Sequence, residues 1–207
     1  MRKMILGLVV LASLMCVETL GLTKGKNENL DKKCNNGDSE ACMELGSYYS
    51  QEFFNNDRDI KKAISYYEKI CKKGNEGDEN FLDACYLLGK IYRDGPRIQE
   101  NYKKALELFT MTCSKDYGYF ERGGCGEVLK LYAKGRGVQK DPDEGAALLK
   151  KLCDGGNAIY PCYHAAEYEL QKGNKREATR YYKKACERSD GEGRLFEEAC
   201  DKYDDLK

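Results

Sequence analysis

Gly124–Cys153 reads GCGEVLKLYAKGRGVQKDPDEGAALLKKLC, and these thirty residues carry the plan of the whole chain. Val128, Leu129, Leu131, Tyr132 and Ala133 form an apolar stripe at helical spacing, which predicts a helix over 125–134. Lys134-Gly135-Arg136-Gly137 ends it, because glycine enters φ > 0 at little cost and is favoured just past a helix end. Asp141 is a good N-cap for a second helix. Pro142 suits its first position, and Glu144 stands third, where a carboxylate meets free N–H groups. Ala146, Ala147, Leu148, Leu149 and Leu152 supply the second apolar face. A cysteine stands near each end of this helix–loop–helix.

The same plan recurs along the chain. Eight residues before Cys71, Cys113, Cys153 and Cys186 stand Ala63, Ala105, Gly145 and Ala178, all small. Three and four residues after those stand Tyr66-Tyr67, Leu108-Phe109, Leu148-Leu149 and Tyr181-Tyr182, all large. A small residue lets a neighbouring backbone approach, so this alternation suits a tightly packed helix pair. Counting forward from Cys42, Cys85, Cys125 and Cys162, the third residues are Leu45, Leu88, Val128 and Ala165. The seventh are Tyr49, Tyr92, Tyr132 and Glu169, so the last unit departs from the pattern, with Tyr168 one residue early. The cysteines 71, 113, 153 and 186 give unit spacings of 42, 40 and 33 residues, a solenoid of helix pairs with variable loops.

Outside the repeats, residues 1–21 read as a secretory signal. Arg2 and Lys3 start it, the apolar run Ile5–Val17 is too short for a comfortable membrane span, and Thr19 and Gly21 offer a small-residue cleavage site. Cys16 raises the alternative of a lipidated cysteine, disfavoured because Ser13-Leu14-Met15-Cys16 lacks a small residue just before it. With this leader removed, no transmembrane segment is expected. Residues 22–33 hold a partial helix, residues 34–200 about four helix pairs, Leu195–Tyr203 a closing helix and residues 201–207 a polar cap. The mature chain would carry 33 bases and 34 acids, so no basic excess points to nucleic acid.

Of the eleven cysteines, ten remain after the leader, and an even count in an exported chain argues for disulfides. Order alone permits hundreds of connectivities; the repeat selects one. Each second helix ends in a cysteine and the next first helix begins with one, which pairs Cys34–Cys42, Cys71–Cys85, Cys113–Cys125, Cys153–Cys162 and Cys186–Cys200. Turn-rich segments separate the partners, bringing antiparallel helix ends near the ~4.4–6.8 Å between Cα atoms that a disulfide needs.

Ala41-Cys42-Met43-Glu44-Leu45-Gly46 and Ala84-Cys85-Tyr86-Leu87-Leu88-Gly89 resemble the start of Sel1-like repeats. Tyr132-Ala133-Lys134-Gly135-Arg136-Gly137-Val138, followed by Asp141 and the alanine-rich helix, is similar to their centre. With a cysteine pair at every repeat boundary, the chain resembles the Helicobacter cysteine-rich protein family of secreted Sel1-like repeat proteins. The resemblance implies an all-α, right-handed α-solenoid of helix-turn-helix repeats, related to tetratricopeptide repeats and stapled by disulfides. It implies a secreted or periplasmic protein whose concave face takes a protein or peptide, and a host-facing role. It also implies, as an alternative, a β-lactamase or penicillin-binding protein acting on a β-lactam or a cell-wall fragment.

The residues lend that alternative no chemistry. Serine β-lactamases need Ser-x-x-Lys, Ser-Asp-Asn and Lys-Thr-Gly elements, and none occurs; Ser65 is followed by Tyr66-Tyr67-Glu68, and Ser114 sits directly beside Lys115. The one histidine, His164, reads as a partly buried helix residue beside Cys162 and not as a zinc ligand. No Cys-x-x-Cys occurs, which removes the usual redox, zinc-knuckle and haem-attachment motifs. No catalytic residue, cofactor or metal is therefore assigned. Most of the sixteen tyrosines fall at repeated packing positions, whereas Tyr117, Tyr119 and Phe120 lie out of that phase as candidates for exposure.

Overall fold

The computed structural model describes residues 25–50, 59–73, 79–95, 98–115, 124–156, 158–188 and 194–207. The leader, the Cys16 site and the Tyr117–Phe120 loop lie outside these residues. The described residues form ten helices and no strand. Helix α1 covers residues 25–35 and α2 Ser39–Ser50, followed by α3 Ile60–Lys73, α4 Glu79–Asp94 and α5 Tyr102–Cys113. Then come α6 Cys125–Lys134, α7 Pro142–Gly155, α8 Ile159–Gln171, α9 Lys175–Glu187 and α10 Arg194–Leu206. This is the all-α, helix-pair architecture of an α-solenoid.

The chain divides into two compact units, Met1–Asn80 and Phe81–Lys207. In the first, α2 packs on α3. In the second, each helix from α5 to α10 packs on the next, and the first helices of successive pairs also touch, α6 with α8 and α8 with α10. Contacts run between sequence neighbours and near neighbours, as a repeat stack requires.

Local chemistry sets the helix ends. At the end of α6, Gly135 adopts φ 66°, ψ 37°. Its N–H donates to the Tyr132 carbonyl (3.3 Å) and the Arg136 N–H donates to Leu131 (3.0 Å), a Schellman cap that satisfies two orphan carbonyls. The same pair of bonds closes α1 at Gly37 and α8 at Gly173. The next helix then starts on an oxygen-bearing side chain. The Asp141 carboxylate accepts from the Glu144 N–H at 3.0 Å with Pro142 in the first turn, and Asn101 accepts from Lys104 at 3.1 Å. Asp38 and Asp59 accept in the same way from Ala41 and from Lys61 and Lys62.

The small and large positions of the repeat meet in the core. Ala63, Ala105, Gly145 and Ala178 are buried, and so are Tyr67, Phe109, Leu149 and Tyr182. Leu45, Leu88, Val128 and Ala165 are buried as well. Glycines on the first helices lie against these rings: a Cβ on Gly46 would stand 2.5 Å from the Tyr67 ring, and one on Gly89 2.8 Å from Phe109. In the third pair the roles exchange, with Gly145 of α7 under Tyr132 of α6. Two readings of the stripes need correction. Ala133 and Ala147 are exposed and Leu129, Leu148 and Leu152 are only half-buried, because each helix buries the narrower face that meets its partner. Of residues 201–207, read as a polar cap, those up to Leu206 continue α10: Tyr203 and Leu206 pack against the core while the acids face water.

Four disulfides join helix ends across the turns: Cys34–Cys42, Cys113–Cys125, Cys153–Cys162 and Cys186–Cys200. Their Cα atoms stand 4.7–4.8 Å apart, and the partners are 8 to 14 residues apart in sequence. Cys71 and Cys85 are each disulfide-bonded too.

Two substitutions test the packing. Gly89→Ala drives a Cβ against the fully buried Phe109 ring, and urea unfolding of the oxidised protein is expected to show a loss of about 1–3 kcal/mol. Gly155→Ala, with open space around the new methyl, is expected to be neutral or stabilising by up to ~1 kcal/mol. Asp141→Ala, which removes the α7 cap, should cost about 1 kcal/mol in the same assay.

Candidate functional site

Among the described residues no group of His, Cys, Asp and Glu is placed to hold a metal, and no helix is long and apolar enough to cross a membrane. Ser65 is exposed on α3 and Ser114 caps α5, its hydroxyl donating to the Met111 carbonyl at 2.8 Å. Among the described residues neither bonds a lysine in a nucleophile–base arrangement. What the second unit builds instead is a row of polar side chains on its first helices.

The row follows the cysteines in a phase that apolar periodicity does not reveal. Two residues after Cys125, Cys162 and Cys200 stand Glu127, His164 and Lys202; five residues after Cys125 and Cys162 stand Lys130 and Glu167. One helix's residue at the earlier position reaches the preceding first helix. Glu127 of α6 accepts a guanidinium bond from Arg93 of α4, and Lys130 donates to its other oxygen at 3.0 Å. With two cations on it, the Glu127 carboxylate can be buried. The His164 ring of α8 lies over Gly126 of α6, whose missing side chain makes room for it. Burial, and then the Lys130 charge, hold its pKa below the ordinary value against the opposing pull of Glu167. The imidazole is therefore neutral at pH 7 and makes no hydrogen bond among the described residues.

The next step joins α8, α9 and α10. Lys202 donates to Glu167 at 2.5 Å and lies 3.5 Å from Glu198. The Tyr182 hydroxyl also donates to Glu167, and the Tyr163 hydroxyl donates to Glu198 at 2.5 Å. The Lys202 ammonium stands 5.4 Å and 5.6 Å from the Tyr163 and Tyr182 ring centres, within cation–π range. Burial alone would raise the Glu167 pKa; the bonds from Lys202 and Tyr182, with the ammonium charge, outweigh it and hold the carboxyl below its usual range. Burial and the bond to Glu198 push Tyr163 up to about 12. Charge is divided between helices here. α10 carries five acids against two bases, and α9 five bases against two acids.

Glu169, the residue that broke the repeat pattern, is buried in an ion pair with Lys150 of α7 at 2.5 Å and accepts from Asn174 at 2.6 Å. A carboxylate thus fills the place that Tyr132 fills one repeat earlier. Tyr168, one residue early, bonds Asp143 at the start of α7 instead (3.1 Å). Of the tyrosines read as core, Tyr132 is buried while Tyr49 and Tyr92 are half-buried, with Lys62 and Lys104 each 4.8 Å from the ring centre.

The Sel1 repeat family model matches residues 39–75, 82–117, 123–157 and 162–190, so that each match takes one first helix and the second helix after it. Cytochrome c oxidase assembly factor 7 of Xenopus tropicalis is 30% identical over 128 residues, 59% of this chain and 51% of that protein. Cytochrome c oxidase assembly factor 7A of Xenopus laevis is 28% identical over the same shares. The chain spans about half the length of these curated relatives. Among solved structures, a Sel1 repeat protein from Oxalobacter formigenes superposes with a TM-score of 0.53 at 18% identity, covering 79% of this chain and 64% of that one. A protective antigen of uropathogenic Escherichia coli with an SLR fold gives 0.51 at 19% identity, covering 79% and 33%. Both show likeness of fold.

The network around Glu167 fixes an acid limit to stability. Its pKa is lower folded than unfolded, so its contribution is complete above the unfolded value of about 4.3 and is lost as pH falls through the folded value. Glu169 acts in the same sense. Glu167→Gln is expected to cost about 1–2 kcal/mol at pH 7 and to lose less stability than the parent between pH 6 and pH 3. Denaturant unfolding across that range reads both effects.

Proposed function

The chain belongs to the Sel1 repeat family, and on that premise we propose that it is an exported protein-binding module that takes a partner segment along its first-helix face. Sel1 repeats generally serve protein interaction, and the observation that carries the reading here is the row Glu127–Lys130–His164–Glu167–Lys202. Glu127, bonded by Arg93, and Glu167, bonded by Lys202, tie one repeat to the next, while Lys130, with Glu198 beside the row, stays exposed as polar handles on the same helices. A stack held by such a row is a stable platform for a peptide or a protein loop.

Export is supported by the basic-then-apolar leader and by cysteines in disulfides at the helix ends, a pattern of oxidising compartments. A cysteine pair at each repeat boundary resembles the secreted Helicobacter cysteine-rich proteins, which supports a periplasmic or extracellular, host-facing role. The Xenopus relatives are named as assembly factors, which agrees with binding as the task. β-Lactam hydrolysis draws no such support, since no serine–lysine pair or metal-ligand group is assembled among the described residues.

Photo-crosslinking residues placed at 130, 164 and 198, and for comparison at 151 and 176 on the second helices, test the face. Oxidised protein is presented to secreted, periplasmic and host-surface fractions. The expected result is one species captured from 130, 164 and 198 and not from 151 or 176, with binding weakened at least tenfold by Lys130→Ala combined with Glu198→Ala. Capture of that species only from 151 and 176 would overturn the assignment. So would turnover of a chromogenic β-lactam, above a mock purification, that follows the folded protein.

A further inference from the structure

We infer that Cys153–Cys162 is the redox-responsive joint of this chain, because Arg188 is placed to stabilise the Cys162 thiolate. The guanidinium Nη1 of Arg188, at the C-cap of α9, stands 3.0 Å from the Cys162 sulfur and 3.8 Å from the Cys153 sulfur. The same nitrogen reaches the Ala158 carbonyl at 3.5 Å, which fixes it over the α7–α8 turn. Among the described residues no carboxylate forms an ion pair with Arg188. Asp154, the acid beside it, is bonded by Lys184. Among the described residues the guanidinium's bonds therefore go to the two sulfurs and the Ala158 carbonyl, with the Asp154 carboxylate within electrostatic reach. Among the described residues no cation contacts the sulfurs of Cys34–Cys42, Cys113–Cys125 or Cys186–Cys200.

A disulfide sulfur is a weak acceptor, whereas a thiolate beside an arginine accepts strong, charge-assisted bonds. Arg188 therefore favours the product of reduction over the reactant. It also gives the exchange a direction, since the thiol of lower pKa is the better leaving group. The thiolate of an external dithiol attacks the Cys153 sulfur and the S–S bond breaks. Cys162 leaves as a thiolate held by Arg188. The reductant's second thiol, losing its proton to water, then attacks its own sulfur in the mixed disulfide. Cys153 is released and takes a proton from water. The dithiol leaves as a cyclic disulfide, and its two electrons reside in the cysteines.

Both cysteines are fully buried, so attack follows opening of the turn between them. That turn joins the third matched repeat to the fourth, where reduction would release the covalent tie between α7 and α8.

The oxidised full chain is equilibrated at pH 8 with a graded ratio of reduced to oxidised dithiothreitol, quenched in acid, alkylated and mapped by mass spectrometry. Cys153–Cys162 is expected to show a reduction equilibrium constant at least fivefold above those of the three pairs that lack a cation. Arg188→Gln should lower it about tenfold, or ~30 mV, and Arg188→Lys should retain most of it. Trapping the unaltered protein with glutathione should place the adduct on Cys153. An adduct on Cys162, a constant no higher than those of the other pairs, or no change in Arg188→Gln would overturn the inference. The glutathione map reads the unaltered chain and decides even if the variant fails to fold.

Discussion

The two helices of one repeat can share a core layer only if their backbones come close, and in this chain a missing side chain permits that. Gly46 lies under Tyr67, Gly89 under Phe109 and Gly145 under Tyr132. Each glycine gives up helix propensity, at roughly 0.5–1 kcal/mol relative to alanine. Each gains a fully or nearly buried ring, worth about 1.5–3 kcal/mol in burial. The exchange favours close pairing inside a repeat, while the disulfides join the second helix of one repeat to the first helix of the next. Glycine-permitted packing and cross-linking thus fall at alternate helix junctions.

Much of this was legible in the residues because the repeat prints it several times. Small-then-large before each second-helix cysteine, the glycine stop at Gly135 and the Asp141–Pro142–Glu144 start all appear where the local pattern puts them. Those signals act within a few residues, through sterics and orphan N–H groups, so a single chain reveals them. The polar row was not legible. Glu127 and Lys202 look like solvent-facing residues on their own helices, and only the stacking of α4, α6, α8 and α10 brings each to a partner some 35 residues away. Glu169 shows the same limit. It breaks the tyrosine pattern, and Lys150 and Asn174, which make a carboxylate acceptable there, come from other segments.

The tyrosines divide in a way that composition alone conceals. Tyr67, Tyr181 and Tyr182 are fully or almost fully buried, whereas rings such as Tyr49 and Tyr92 stand half out with a lysine over each. A cation over a ring covers apolar surface while leaving its charge in water. The chain lacks tryptophan, and these stacked pairs extend its thin layers outward without enlarging the apolar core. The polar row does similar work between repeats, where a carboxylate and two cations replace a hydrophobic contact.

In the described disulfides each cysteine's partner is the next cysteine in the sequence, 8 to 14 residues away. For a chain that emerges N-terminus first from a ribosome or a pore, this turns bond choice into a matter of order. An oxidant that joins each new cysteine to the unpaired one just ahead of it makes native bonds, and no later shuffling is needed. Each joint can be sealed as soon as the first helix of the following pair has arrived. The linear timing of emergence then does for this protein what an isomerase does for chains whose partners lie far apart.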